Sequence, residues 1–331
     1  MKNSLITRRK LLVGATSVAA VASFSPAYSQ AAYPSKVITL VVAYPAGGDT
    51  DVIARLIADK LTTRLGRPVV VENRTGAAGM IGTAYVAKAA PDGHTLLLAP
   101  DTFVISPLVM KAGPSTQYDP VQDLTPIIGI GPVSLFMVAS ASAGVTNAQD
   151  VVNAVKAGKI KAYASPGYGS PMHILAELFD KSADIKIEQV AYKGSMPAVA
   201  DMVGGHIPLM YSTLGPIRNF IKSGQVVPLA VADAQRSPFL PQVPTLAESG
   251  YKGAEVAGWQ ALLGPKGMPT ELVKLLNQHT NEILKMPDVV ARMETLAMKP
   301  TGGESSVLSQ RIASDYERYG KIVKDFNIRA E

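Results

Sequence analysis

Val37-Ile38-Thr39-Leu40-Val41-Val42-Ala43-Tyr44-Pro45-Ala46-Gly47-Gly48-Asp49-Thr50-Asp51-Val52-Ile53 changes its hydrophobic period partway along. Val37 to Ala43 is a continuous apolar, β-branched run, the pattern of a strand buried on both faces. From Asp51 onward Val52, Ile53, Leu56, Ile57 and Leu61 return at helical spacing. A strand, a loop and a helix in that order form the repeating unit of a parallel sheet, whose neighbouring strands need a crossover. The same succession is predicted at Pro68 to Glu72 with Met80 to Ala89, at Thr95 to Ala99, and at Ile160 to Ala164 with Met172 to Phe179. It recurs at Ile187 to Ala191 with Ala198 to Val203, at Ile207 to Tyr211 with Ile217 to Ile221, and at Val227 to Val231. The fold class is therefore α/β, with mostly parallel sheets flanked by helices. The tail differs: Glu271 to Met286, Asp288 to Ala297 and Ser305 to Phe326 are three successive helical patterns, expected to pack on one lobe.

A chain of 331 residues suits two lobes of ordinary size. Glycine- and proline-rich stretches near Ile128 to Pro132 and Arg236 to Pro244 suit two crossings between them. The expected lobes are 32–131 plus 236–331, and 132–235. With 47% hydrophobic and 18% charged residues the chain can bury large cores. The absence of cysteine excludes disulfides, thiolate metal sites and a cysteine nucleophile. Of the formal charge of +6, Lys2, Arg8, Arg9 and Lys10 supply four, and removing them leaves +2, too little for a polyanion partner. Nucleic acid is not an expected partner. Those four charges precede an apolar run from Leu11 to Phe24 and a small-x-small site at Ser29-Gln30-Ala31, the pattern of an export signal of twin-arginine type over residues 1–31. The run is shorter than the ~20 residues a membrane-spanning helix needs.

Five loops join glycine to polar residues at predicted strand ends, where open α/β sheets hold ligands. In the first, from Tyr44 to Asp51, Gly47 and Gly48 allow close backbone approach and the following helix aims its positive end the same way. It reads as an anion cradle or as a tight turn with Asp49 or Asp51 capping the helix. The second, Glu72 to Gly82, has Gly-x-x-Gly-x-x-Gly spacing, which is not that of a dinucleotide site and points to a structural role. In the third, Ser165-Pro166-Gly167-Tyr168-Gly169-Ser170, the Ser170 hydroxyl and the Gly169 and Ser170 amides are placed to hold a carboxylate, and Ser170 is equally a natural helix cap. The fourth offers Lys193 and the fifth Ser212 and Thr213. Thr102, after the Thr95 to Ala99 strand, is a further candidate contact. Trp259, the single tryptophan, is either core or a ligand wall. No Gly-x-Ser-x-Gly, Walker-type or His-Glu-x-x-His motif occurs, and His94, His173, His206 and His279 lie far apart. No catalytic residue, metal or cofactor is expected.

Taken together, Tyr44 to Asp51 with Ala54-Arg55, Val70 to Gly82, Ala90 to Thr95, Tyr192-Lys193-Gly194 with Pro197-Ala198, and Arg236-Ser237-Pro238 with Val243-Pro244-Thr245 resemble the periplasmic substrate-binding proteins of tripartite tricarboxylate transporters, the Bug receptors, over residues 33–331. The resemblance implies a two-lobed, type II-like periplasmic receptor that closes on a small di-, tri- or aromatic carboxylate. The ligand would be held by amides, hydroxyls and waters, with Tyr44 to Asp51 and Ser165 to Ser170 as opposing jaws. It implies delivery to membrane subunits of a transporter by a monomeric receptor. Ser212 stands where the family commonly has aspartate, which makes amine-bearing ligands less expected. A receptor feeding a sensor, or an exported enzyme acting on a carboxylate ester, would use the same scaffold. Mass spectrometry of fractionated cells should find a soluble periplasmic protein with a new terminus near Ala32; an intact signal on membrane-bound protein would count against export with cleavage.

Overall fold

β1 (Ile38–Val42) pairs in parallel with β2 (Val69–Asn73) on one side and β3 (Thr95–Pro100) on the other. The computed structural model describes residues 33–329, so the export signal expected over 1–31 lies outside the described residues. Helices α1 (Asp49–Leu65) and α2 (Met80–Ala87) connect these strands, and α3 (Thr102–Val109) follows β3. β4 (Leu124–Val133) closes the sheet's other edge, with β10 (Gly258–Pro265) between it and β3, giving the order β2-β1-β3-β10-β4. A second sheet holds β5 (Phe136–Ser140), β6 (Ala162–Ser165), β7 (Glu188–Ala191), β8 (Leu209–Ser212) and β9 (Val226–Val231) in the order β7-β6-β8-β5-β9. Its helices are α4 (Ala148–Lys156), α5 (Pro171–Ala183), α6 (Ser195–Val203) and α7 (Leu214–Lys222).

Each sheet is mostly parallel with one strand reversed: β10 is antiparallel to β3 and β4, and β5 to β8 and β9. Both reversed strands are the first laid down after the chain changes sheets. β4 ends at the carboxyl edge of its sheet, and only Ser134 and Leu135 separate it from β5. The chain thus reaches the second sheet at the edge where parallel strands finish, and the strand begun there has to run backwards. The crossovers then keep the carboxyl edges of both sheets turned toward the crossing, where open sheets hold ligands.

The sequence reading did not identify α3, β4, β5 or α4. The α3 sequence Thr102-Phe103-Val104-Ile105-Ser106-Pro107-Leu108-Val109 is mostly apolar on all sides and carries an internal proline, so it lacks a clear helical period. The stretch 128–132, expected as a crossing, is the end of β4, an edge strand where Pro126 and Pro132 are tolerated. On the return, Val243 packs with Phe136 and Leu214, while Leu246, Tyr251, Ala254 and Val256 pack in the cluster around Phe179 and Leu229.

The three C-terminal helices differ from expectation in what they touch. α8 (Thr270–Ile283) packs on α1 and β4, and α10 (Ser305–Asp325) on α3 and β4. Tyr319 of α10, with Phe326 and Ile328 beyond it, also joins the cluster that contains Phe179. Arg218 of α7 donates to the carbonyls of Glu294 and Thr295, at 2.9 and 3.0 Å, in the last turn of α9 (Pro287–Thr295). The tail therefore grips both lobes, because an apolar stripe along a helix of this length outruns the area of one sheet.

Phe179 is fully buried and meets the Tyr251 ring edge-on at 4.9 Å between centroids. Phe179→Ala should cost about 3–5 kcal/mol in urea unfolding, the range for truncating a buried aromatic. A loss below about 1 kcal/mol would mean that the return segment is not part of this core.

Candidate binding site

A cavity of about 110 Å³ opens where the two sheets face each other. A water needs ~10–15 Å³ by this measure, so the space admits on the order of ten waters or one small organic molecule. Its floor includes Val133, Leu135, Gly258 and Trp259, near the passages between the sheets. The first turns or caps of five helices border it: Gly48 to Asp51 of α1, Asp101 and Thr102 of α3, Ser170 to Met172 of α5, Gly194 to Pro197 of α6, and Thr213 of α7. Each of these helices follows a parallel strand, so each begins at the carboxyl edge that faces the cavity. The first N–H groups of a helix have no partner within it, and the aligned peptide dipoles add positive potential at the same end. Only α5 receives a side-chain cap from its own N-cap residue; Gly48, Asp101, Gly194 and Thr213 make none. Among the described residues that line the cavity, Lys193 is the one cation, and it is exposed.

The acidic residues of the lining carry less charge than their number suggests. Asp51 is held below the usual carboxylate range despite its burial, because Arg55, the Gly47 amide and Asn73 all donate to it. Asp101 is buried and its carboxyl is driven well above that range by desolvation and by Asp315 nearby, which keeps it uncharged. Asp49 is pushed up to about 6 by burial, against the Thr213 hydroxyl that donates to it at 2.6 Å. The cavity thus presents five helix ends and one ammonium against one ionised, unpaired carboxylate at neutral pH. That balance suits an anion, held without an arginine clamp.

Of the residues expected from sequence, Tyr44, Gly48, Asp49, Thr102, Gly167, Ser170, Lys193 and Trp259 line the cavity. Gly47, Ser165, Gly169 and Ser212 do not, for identifiable reasons. The Gly47 amide is spent on Asp51, and the cap of α1 is Gly48 rather than Asp49 or Asp51. The Ser165 hydroxyl accepts from Gln189 Nε2 and from the Gly167 amide, tying the loop to β7. The Gly169 amide donates to His173 Nδ1, and its α-carbon packs so closely on Ser106 across the cleft that an added Cβ would sit 2.8 Å from the Ser106 α-carbon. Ser212 is the last residue of β8, its hydroxyl buried and without a hydrogen-bond partner among the described residues. Its neighbour Thr213, just past the strand, faces the cavity instead. The fifth loop was found in the sequence, but which of its two hydroxyls turns inward depends on where β8 ends.

Ser170 is the cap of α5: its hydroxyl accepts from the His173 amide at 3.2 Å and donates to the Gly167 carbonyl at 2.8 Å. With its only proton committed, this hydroxyl cannot also donate to a carboxylate, so the donor left at residue 170 is the backbone amide. Tyr44 donates to the Ala78 carbonyl at 3.1 Å. Trp259 gives its Nε1 proton to Asp315 of α10 at 2.7 Å and meets Phe103 edge-on, so one side of the indole is core and the other is cavity wall.

His173 fixes the start of α5. Its Nδ1 must be unprotonated to accept from Gly169, and burial pushes its pKa down to about 4 against the attraction of Glu177. An unfolded histidine titrates near ~6.5, so as pH falls below that value the unfolded chain binds a proton that the folded chain refuses, and stability is lost through the window down to about 4. Urea unfolding at about pH 7.5 and about pH 4.5 should show the wild type losing about 2–3 kcal/mol more than His173→Gln, which keeps an acceptor but does not titrate. Equal losses would mean that residue 173 is not held neutral.

Residues 53–328 match the family described as the tripartite tricarboxylate transporter family receptor. The fold superposes on the periplasmic binding protein BugD with TM-score 0.83 and 31% identity, covering 90% of this chain and all of that one, to the 100% level. Rpa4515 of R. palustris, solved with adipate, gives 0.84 and 31% identity over 90% of this chain and 99% of that one. MatC of Rhodopseudomonas palustris, solved with malate, gives 0.81 and 28% identity over 88% of this chain and 100% of that one. Two facing, mostly parallel sheets flanked by helices are thus what this chain shares with two-lobed periplasmic binding proteins, and it belongs to the tripartite tricarboxylate transporter receptor family.

Proposed function

We propose that this protein is a periplasmic receptor that captures a small organic carboxylate between its lobes and delivers it to membrane subunits of a tripartite transporter, without chemical turnover. The observation that carries the proposal is the opening of five helix first turns onto one small cavity with a single exposed lysine. Ligands of the relatives, adipate in Rpa4515 and malate in MatC, support the carboxylate class. The wall supplied by Val133, Leu135, Met172, Met196 and Trp259 suits an apolar body between or beside the charged groups. Export of a chain cleaved after Ala31 belongs to the same proposal, as does action as a monomer. We take the lobes as 36–133 plus 258–329, and 134–257, since the return segment packs with the second sheet.

A thermal-shift panel of adipate, malate, citrate, nicotinate and benzoate on the mature chain tests the class. A ligand at 100 times its Kd stabilises by about 2.7 kcal/mol. The Trp259 emission should shift with the same saturation curve, because the indole borders the cavity and its Nε1 bond reaches α10. A panel with no stabilising carboxylate, or product formed from a carboxylate ester, would overturn the receptor reading.

A further inference from the structure

Asp49 lies at the start of α1, in the first lobe, but its carboxylate is lodged against the start of α7 in the second. Thr213, the N-cap residue of α7, makes no side-chain bond to its own helix; its hydroxyl donates across the cleft to Asp49 Oδ2 at 2.6 Å. The carboxylate sits so close to the α7 backbone that a Cβ built on Gly215 would lie 2.9 Å from Asp49 Cγ and closer still to Oδ1. Gly215 is not in a left-handed conformation, so its backbone does not require glycine. The required feature is the missing Cβ. An anion at the first turn of a helix is stabilised by the dipole, and here that anion comes from the opposite lobe.

Besides the packing of Gly194 on Pro45 at the cavity and of Gly169 on Ser106, further ties between the lobes lie off the cavity. Arg218 reaches the carbonyls of α9, and the end of α10 packs in the cluster around Phe179. None of these outer residues borders the cavity, whereas Asp49 and Thr213 both do. A separation of the lobes at the cavity that leaves those outer ties in place must break the contact between Asp49 and Thr213.

We propose that Asp49, Thr213 and Gly215 form a latch that holds the lobes closed over the binding cavity, with Asp49 a positioning residue rather than a ligand contact and Gly215 its obligatory partner. The latch rests on the receptor reading only in giving closure a purpose. Its test needs no carboxylate, so its failure would leave that reading intact. The chain has no cysteine, so Arg67→Cys in the first lobe and Lys159→Cys in the second take spin labels cleanly on exposed positions.

Distances between the labels would be measured by pulsed electron resonance on the mature chain without added ligand. Loss of a hydrogen bond to a charged group corresponds to about a tenfold rise in the open-to-closed ratio. Asp49→Ala should produce that rise, and Thr213→Val a similar one with a smaller change in packing. Gly215→Ala should open the cleft in the parent but not further in the Asp49→Ala background. In that background it should leave Tm unchanged or raised, because alanine is the better helix former once the carboxylate is gone. If Gly215→Ala folds only when combined with Asp49→Ala, that rescue supports the latch equally. A distance distribution unmoved by both Asp49→Ala and Thr213→Val, or a Gly215→Ala effect of the same size in both backgrounds, would overturn it.

Discussion

A helix cannot satisfy the N–H groups of its own first turn, and the rest of this structure is arranged around where those groups end up. Parallel strands force their crossover helices to begin at one edge of the sheet. Two such sheets facing each other bring α1 and α3 from one side and α5, α6 and α7 from the other to a common space. Of the five, α5 is capped by Ser170 and α7 is met by Asp49 from the other lobe. The starts of α1, α3 and α6 keep no side-chain cap, and they are the part of the wall with most to offer an anion. This gives the cavity an anion-suited wall without an arginine among the described residues of its lining. The positive potential is distributed over backbone, which needs no rotamer to be fixed when a ligand enters.

The reversed strands explain how the two lobes share one chain. β5 and β10 each begin at the crossing and run away from it, so both passages between lobes lie at the cavity floor, beside Val133, Leu135 and Gly258. Trp259 follows the second passage directly, and its hydrogen bond to Asp315 connects that floor to α10. α10 in turn packs on both lobes. Cavity floor, passage and tail helix are therefore one packed assembly.

Carboxylates in the lining of a cavity that suits an anion oppose that character, and burial resolves the conflict differently for each. Asp51 stays ionised because Arg55, Asn73 and Gly47 compensate it, and its work is to hold the first loop in shape. Asp101 is too deeply desolvated to ionise. Asp49 is intermediate, with one hydroxyl partner and a helix end to offset its desolvation. Among the described residues of the lining, the cavity thus keeps one negative charge without an ion-pair partner, and that charge is engaged by α7.

Local pattern along the chain was enough for the α/β class and for the loops that meet at the cavity, because hydrophobic period is local and buried parallel strands must be apolar throughout. Val37 to Ala43 and the six shorter runs after it, from Pro68 to Val231, were legible for that reason. It left open what long-range packing decides. β4 and α3 carry prolines that a local reading takes as breaks, yet an edge position and a buried setting accommodate them. Ser212 and Thr213 are adjacent and chemically alike, but the end of β8 buries the hydroxyl of one away from the cavity and leaves the other in its lining. Ser170 and Gly169 sit in a loop that borders the cavity, while His173 and Gly167 consume the groups expected to meet ligand. The pairing of Asp49 with Gly215, separated by 166 positions in the numbering, exists only once the lobes face each other, because no local pattern encodes the space that an absent Cβ leaves for a distant carboxylate.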